Sequence, residues 1–84
     1  MIKKIYKSPG GKDYSFEEHA LNRMAQRRIK RRDIERVLDS PDISYTDRED
    51  NLCLVGYLEG QRRLRVVAAK ESDPLNIITA IILD

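Results

Sequence analysis

The segment SFEEHALNRMAQRRI, Ser15 to Ile29, decides how the chain is read, because its pattern fits a helix from the first residue onward. Ser15 and Glu18 have capping-box spacing: the serine hydroxyl can take the amide of Glu18 while the glutamate reaches back, which predicts a helix starting at Phe16. On a helical wheel Phe16, Ala20, Leu21 and Met24 form an apolar stripe, and Glu18, Asn22 and Gln26 fall on the solvent side. Between the two, His19, Arg23 and Arg27 recur at intervals of four, and Arg31 continues the series. That spacing makes one slowly turning ridge. Like charges so placed repel by roughly a few tenths of a kcal/mol per pair. A ridge kept against that repulsion points to a role other than helix stability.

Working outward, Arg28-Ile29-Lys30 is the expected break, followed by a second helix over Arg31–Asp39 with Ile34, Val37 and Leu38 on one face and Pro41 blocking continuation. Its charges interleave, Arg31 with Glu35 and Asp33 with Arg36, as on an ordinary solvated helix. From Ile43 the period becomes extended. Strands are predicted over residues 43–47, 52–58, 62–69 and 77–83, and Gly56 marks a bulge or a close backbone approach. The third of these strands turns Leu64, Val66 and Ala68 to one side and Arg63, Arg65 and Val67 to the other. Before the helix, residues 1–6 suggest a short edge strand, and Ser8-Pro9-Gly10-Gly11 breaks it. The expected architecture is a single α+β domain over 1–84. It comprises an N-terminal segment at 1–14, two helices at 15–40, and a three- to four-stranded antiparallel sheet at 43–84 on which the helices pack.

Composition narrows the functional classes. Eighty-four residues build one core, and no apolar run is long enough to span a membrane. The N-terminus has lysines with no apolar stretch behind them, so a cytoplasmic protein is expected. The net charge of +2 conceals an uneven distribution: residues 1–40 carry eleven Lys or Arg against six Asp or Glu, and residues 41–84 carry five against eight. The helical half is therefore the expected surface for a polyanion, nucleic acid first. With one cysteine no internal disulfide forms, and Cys53, inside the apolar run LCLVGYL, reads as core filler.

One histidine and one cysteine leave no complete triad, and there is no glycine-rich phosphate loop or metal-ligand cluster, so no metal and no cofactor is expected. What remains can do metal-free phosphodiester chemistry. Cleaving RNA requires a base for the 2′-hydroxyl, stabilisation of charge on phosphorus and a proton for the leaving oxygen, which a histidine and arginines can supply. Blander roles stand beside each of these. His19 can be a packing residue, Arg23 and Arg27 can bond strand-end carbonyls, Arg63 and Arg65 can be a solvated strand face, and Tyr45 and Tyr57 can cover an edge instead of stacking on bases.

The run H-A-x-x-R-M-x-x-R-x-I at His19–Ile29, the I-x-x-V-L helix at Ile34–Leu38, Pro41-Asp42, R-R-L-R-V-V at Arg62–Val67 and I-I-T-A at Ile77–Ala80 together resemble the bacterial domain-of-unknown-function family 4258. Its order of elements is similar to that of the BrnT and RelE ribonuclease toxins of toxin–antitoxin pairs, a fold-level analogy. The cationic ridge, the charge asymmetry and this resemblance together lead to the expectation of a metal-independent endoribonuclease. His19 would be general acid or base, Arg23, Arg27 and Arg65 would stabilise the phosphorane, Arg31, Arg63, Tyr57 and Thr79 would hold RNA, and a protein antitoxin would neutralise it. A non-catalytic nucleic-acid- or protein-binding module with a structural His/Arg ridge is the alternative. The chain departs from the family pattern at Arg28, where glycine commonly closes the first helix, and at Lys30, where serine or threonine commonly caps the second.

Overall fold

A computed structural model of the chain describes residues 3–70 and 72–83. In chain order the elements are β1 (Tyr6–Lys7), β2 (Asp13–Phe16), α1 (Glu18–Arg27), α2 (Arg31–Asp39), β3 (Ile43–Thr46), β4 (Leu52–Tyr57), β5 (Arg63–Ala68) and β6 (Leu75–Leu83), with a short 3-10 turn at Glu59–Gln61. The sheet has six strands in the order β1-β2-β6-β5-β4-β3. Strands β3 to β6 form consecutive antiparallel pairs, whereas β2 runs parallel to β6 with Tyr14 opposite Leu75 and Phe16 opposite Ile77.

The class is α+β, but the expected three- to four-stranded antiparallel sheet is overturned by this six-stranded mixed one. The error starts at Ser15. That residue lies in β2, and its hydroxyl donates to Asn76 Oδ1 at 3.3 Å instead of capping a helix. Glu17 takes the N-cap position without a side-chain cap, its own amide donating to the Ile77 carbonyl at 2.9 Å. Phe16 is accordingly a strand residue. Tyr14 and Phe16, two apart, turn their rings to the same side and meet Tyr6 of β1 in an aromatic cluster with centroids 5.4–5.7 Å apart. The N-terminal edge strand is Tyr6–Lys7, paired with β2; residues 1 and 2 of the expected strand lie outside the described residues.

Both helices cover one face of the sheet. Ala20 and Met24 of α1 and Ile34, Val37 and Leu38 of α2 pack with Leu54, Leu64, Val66, Ala68, Ile77 and Ala80 in a single core. Each fully buried aliphatic side chain there contributes about 1.5–3 kcal/mol. Leu21, assigned above to the apolar stripe, is 47% exposed. With the helix starting two residues later than expected, the buried face is narrower. Gly56 is a close approach: a Cβ there would lie 3.3 Å from Val37 Cγ2. The β1–β2 turn is tied to the end of α2 by Asp39, whose carboxylate accepts from the Ser8 hydroxyl at 2.6 Å and the Gly10 amide at 2.9 Å. Among the described residues, no helix is long and apolar enough to cross a membrane.

Candidate functional site

The ridge read from the sequence is divided by the fold. Helix α1 stops at Arg27 because Arg28 adopts a left-handed conformation (φ 57°), with its amide on the Ala25 carbonyl and the Ile29 amide on the Met24 carbonyl at 2.9 Å. This is a Schellman closure, sealed by the burial of Ile29 and Met24. Arg31 therefore opens α2 and is not part of the α1 ridge; its guanidinium lies 4.3 Å from the Tyr6 ring centroid and 3.9 Å from Glu35. Arg27 donates to the Ala80 carbonyl of β6 at 2.8 Å. His19 and Arg23 remain together on α1, where Arg23 Nε donates to His19 Nε2 and Arg23 Nη1 to Gln26 Oε1, both at 3.3 Å.

The sheet residues of the expected site are elsewhere. Leu64 and Val66 of β5 face the helices, so the alternating Arg63 and Arg65 face away from them. Arg65 donates to the Tyr45 hydroxyl at 3.3 Å on that open face, where the register also puts Tyr57 opposite Arg63 and Thr79 opposite Val67. The sheet thus stands between His19 and Arg23 on one side and Arg63, Arg65, Tyr57 and Thr79 on the other. A single phosphate cannot touch both groups.

A different set of cations does converge. Arg28, Lys30, Arg32, Asp33, Arg36, Leu58, Glu59 and Arg62 line a cleft of about 420 Å³. Three segments build it. Arg28 and Lys30 come from the α1–α2 connection; Arg32 and Arg36, four apart, form one edge of α2; and the β4–β5 turn, closed by the Leu58 amide on the Arg62 carbonyl at 2.6 Å, brings Arg62 from the far half of the sequence. Buried Leu58 belongs to both the core and the cleft lining. Asp33 is already occupied, since Oδ2 accepts the Lys30 amide at 2.9 Å and so closes the start of α2 without a serine or threonine. Among the described residues none of the five cations makes an ion pair within 4.0 Å. The interleaved pairing expected on α2 holds for Arg31 and Glu35 only; Arg36 is left facing the cleft with Arg32. The signal was present in the run RRIKRRDIER, but convergence on Arg62 requires the tertiary fold.

The Cys53 thiol is pushed up by burial and then by nearby Asp47, which makes it a poor nucleophile. Asp47 is held below its usual range by the Asn51 amide. Glu17 is likewise lowered by hydrogen bonds from Lys3 and Asn76. Among the described residues no three His, Cys, Asp or Glu side chains group as metal ligands would.

A family model described as "Domain of unknown function (DUF4258)" matches residues 16–82. No curated protein and no solved structure matches the chain. The likeness in layout to BrnT and RelE toxins stays an expectation.

Proposed function

We propose that this chain, which belongs to the DUF4258 family by its match over residues 16–82, is a nucleic-acid-binding module that holds phosphate groups of the nucleic acid in the cleft between the α1–α2 turn, α2 and the β4–β5 turn. The observation that carries the reading is the convergence of Arg28, Lys30, Arg32, Arg36 and Arg62 on one concave surface with no ion-pair partner among the described residues. Uncompensated guanidinium groups are suited to phosphate oxygens, which they bind in paired hydrogen bonds. The lining contains no aromatic side chain, so the cleft reads phosphate charge and not bases. The test is fluorescence anisotropy with a labelled single-stranded RNA at fixed salt. Replacing Arg32, Arg36 and Arg62 together by glutamine should weaken binding at least tenfold, about 1.4 kcal/mol. Unchanged binding by a folded triple variant contradicts the reading.

The endoribonuclease reading is favoured by one specific contact, the Arg23–His19 pair on the exposed side of α1. There His19 would move the proton and Arg23 would stabilise the phosphorane. In that setting the protein would be a toxin, and an acidic antitoxin would cover its cationic side. Arg27, bonded to the Ala80 carbonyl, and Arg65, across the sheet, are less available to it. Induced expression with growth and RNA integrity followed over time decides the matter. Toxicity with RNA cleavage, abolished by His19→Ala in a folded protein, supports the nuclease, and intact RNA removes it.

A further inference from the structure

We infer that the cleft is a site for a condensed phosphate chain, the di- or triphosphate of a free nucleotide or of an RNA 5′ end. The inference rests on the proposed reading only in taking the cleft to bind phosphate. Its added content comes from shape and charge density. A nucleic-acid backbone carries one charge per phosphate and spaces successive phosphates by a sugar, so a protein that tracks it presents cations in a strip. Here five cations and two carboxylates give a net charge of +3 around one space of about 420 Å³, lined by residues from three separate segments. Asp33 keeps its charge while Oδ2 accepts the Lys30 amide, so both carboxylates oppose an anion, and Glu59, on the exposed turn, is the one that can be replaced without disturbing the start of α2.

Mutual repulsion of the cations is best relieved by an anion with several charges in a small volume. A phosphodiester brings one; a terminal phosphate brings roughly two at neutral pH, and each further condensed phosphate adds to it. The volume lies in the range of small-ligand sites. The lining supplies no ring on which a base could stack and offers Leu58 as its buried apolar member. Specificity therefore falls on the phosphate chain. Arg28 is consistent with such a role, because a non-glycine residue is held there at φ 57°, a conformation that costs about 1–2 kcal/mol and places a cation at the rim.

The test is isothermal titration of the full chain with inorganic tripolyphosphate, orthophosphate, ATP, and one RNA sequence made with a 5′-triphosphate or a 5′-hydroxyl, all at equal ionic strength. Tripolyphosphate should bind one per chain, at least tenfold tighter than orthophosphate, and at least tenfold weaker to the folded variant Arg32→Gln, Arg36→Gln. Glu59→Gln, at an exposed turn, should bind it severalfold tighter. If the 5′-triphosphate RNA binds more tightly than ATP, the ligand is an RNA end; if ATP matches it, the ligand is a free nucleotide. Tripolyphosphate no tighter than orthophosphate, more than one bound per chain, or indifference to all the substitutions overturns the inference. Should 5′-hydroxyl RNA still bind in an arginine-dependent way while tripolyphosphate does not, this inference fails and the proposed function stands. Tripolyphosphate binding without any RNA binding is the reverse.

Discussion

Arg28 joins stability to the cleft in one residue. Its left-handed backbone closes α1, a task glycine does without steric penalty, and its side chain lines the cationic space. Arg28→Gly should therefore stabilise the domain by about 1 kcal/mol in urea unfolding while weakening tripolyphosphate binding. A variant no more stable, or one that binds as well, separates those two roles. Tyr14 makes a different prediction. It is fully buried, and its hydroxyl donates to Glu35 at 2.5 Å; burial first, and the bond to Glu35 second, push the phenol well above its ordinary value. The folded state keeps a proton that the unfolded chain releases above about pH 10, so this contribution is complete below about pH 10 and declines as pH rises beyond it. Unfolding free energies measured from neutral pH to about pH 11 should fall at the alkaline end, and Tyr14→Phe should flatten that fall. Neither residue's role was legible in the sequence: Arg28 stood out only as a departure from glycine, and Tyr14 lay at the end of the N-terminal segment before the expected helix.

At the scale of elements, β2 explains most of what the sequence concealed. Asp13–Phe16 is four residues long, overlaps a capping-box pattern, and has a parallel partner, Leu75–Ile77, about sixty residues away. Local periodicity cannot report such a pairing, because the strand is specified by a neighbour supplied at the other end of the chain. Strands β4 and β5 were legible because alternation or an unbroken apolar run marks each, and polar turns bound them. Gly56 was readable as a place of close approach, and the structure names the neighbour as Val37 of α2. Gly56→Val should drive α2 away from β4 and cost about 1–3 kcal/mol in chemical denaturation, with a loss below 0.5 kcal/mol arguing that the approach can relax.

For the whole molecule, the uneven charge of the two halves drew attention to the helical side, but the expected joint site of helix ridge and sheet arginines depends on which face each strand residue takes. Arg65 and Arg27 are separated because β5 alternates and only one face of the sheet carries helices. The cleft, in contrast, needs Arg62 from the acidic half to meet Arg28, Lys30, Arg32 and Arg36 from the basic half, a meeting that only the β4–β5 hairpin creates. The central claim is that these cations bind phosphate directly. It is tested most directly by the salt dependence of single-stranded RNA affinity for the wild type and for the protein with Arg32, Arg36 and Arg62 replaced by glutamine. Each lost phosphate contact should lower the slope of log affinity against log salt by about 0.7, so the triple variant should be shallower by about 2. Parallel lines for the two proteins would contradict the account.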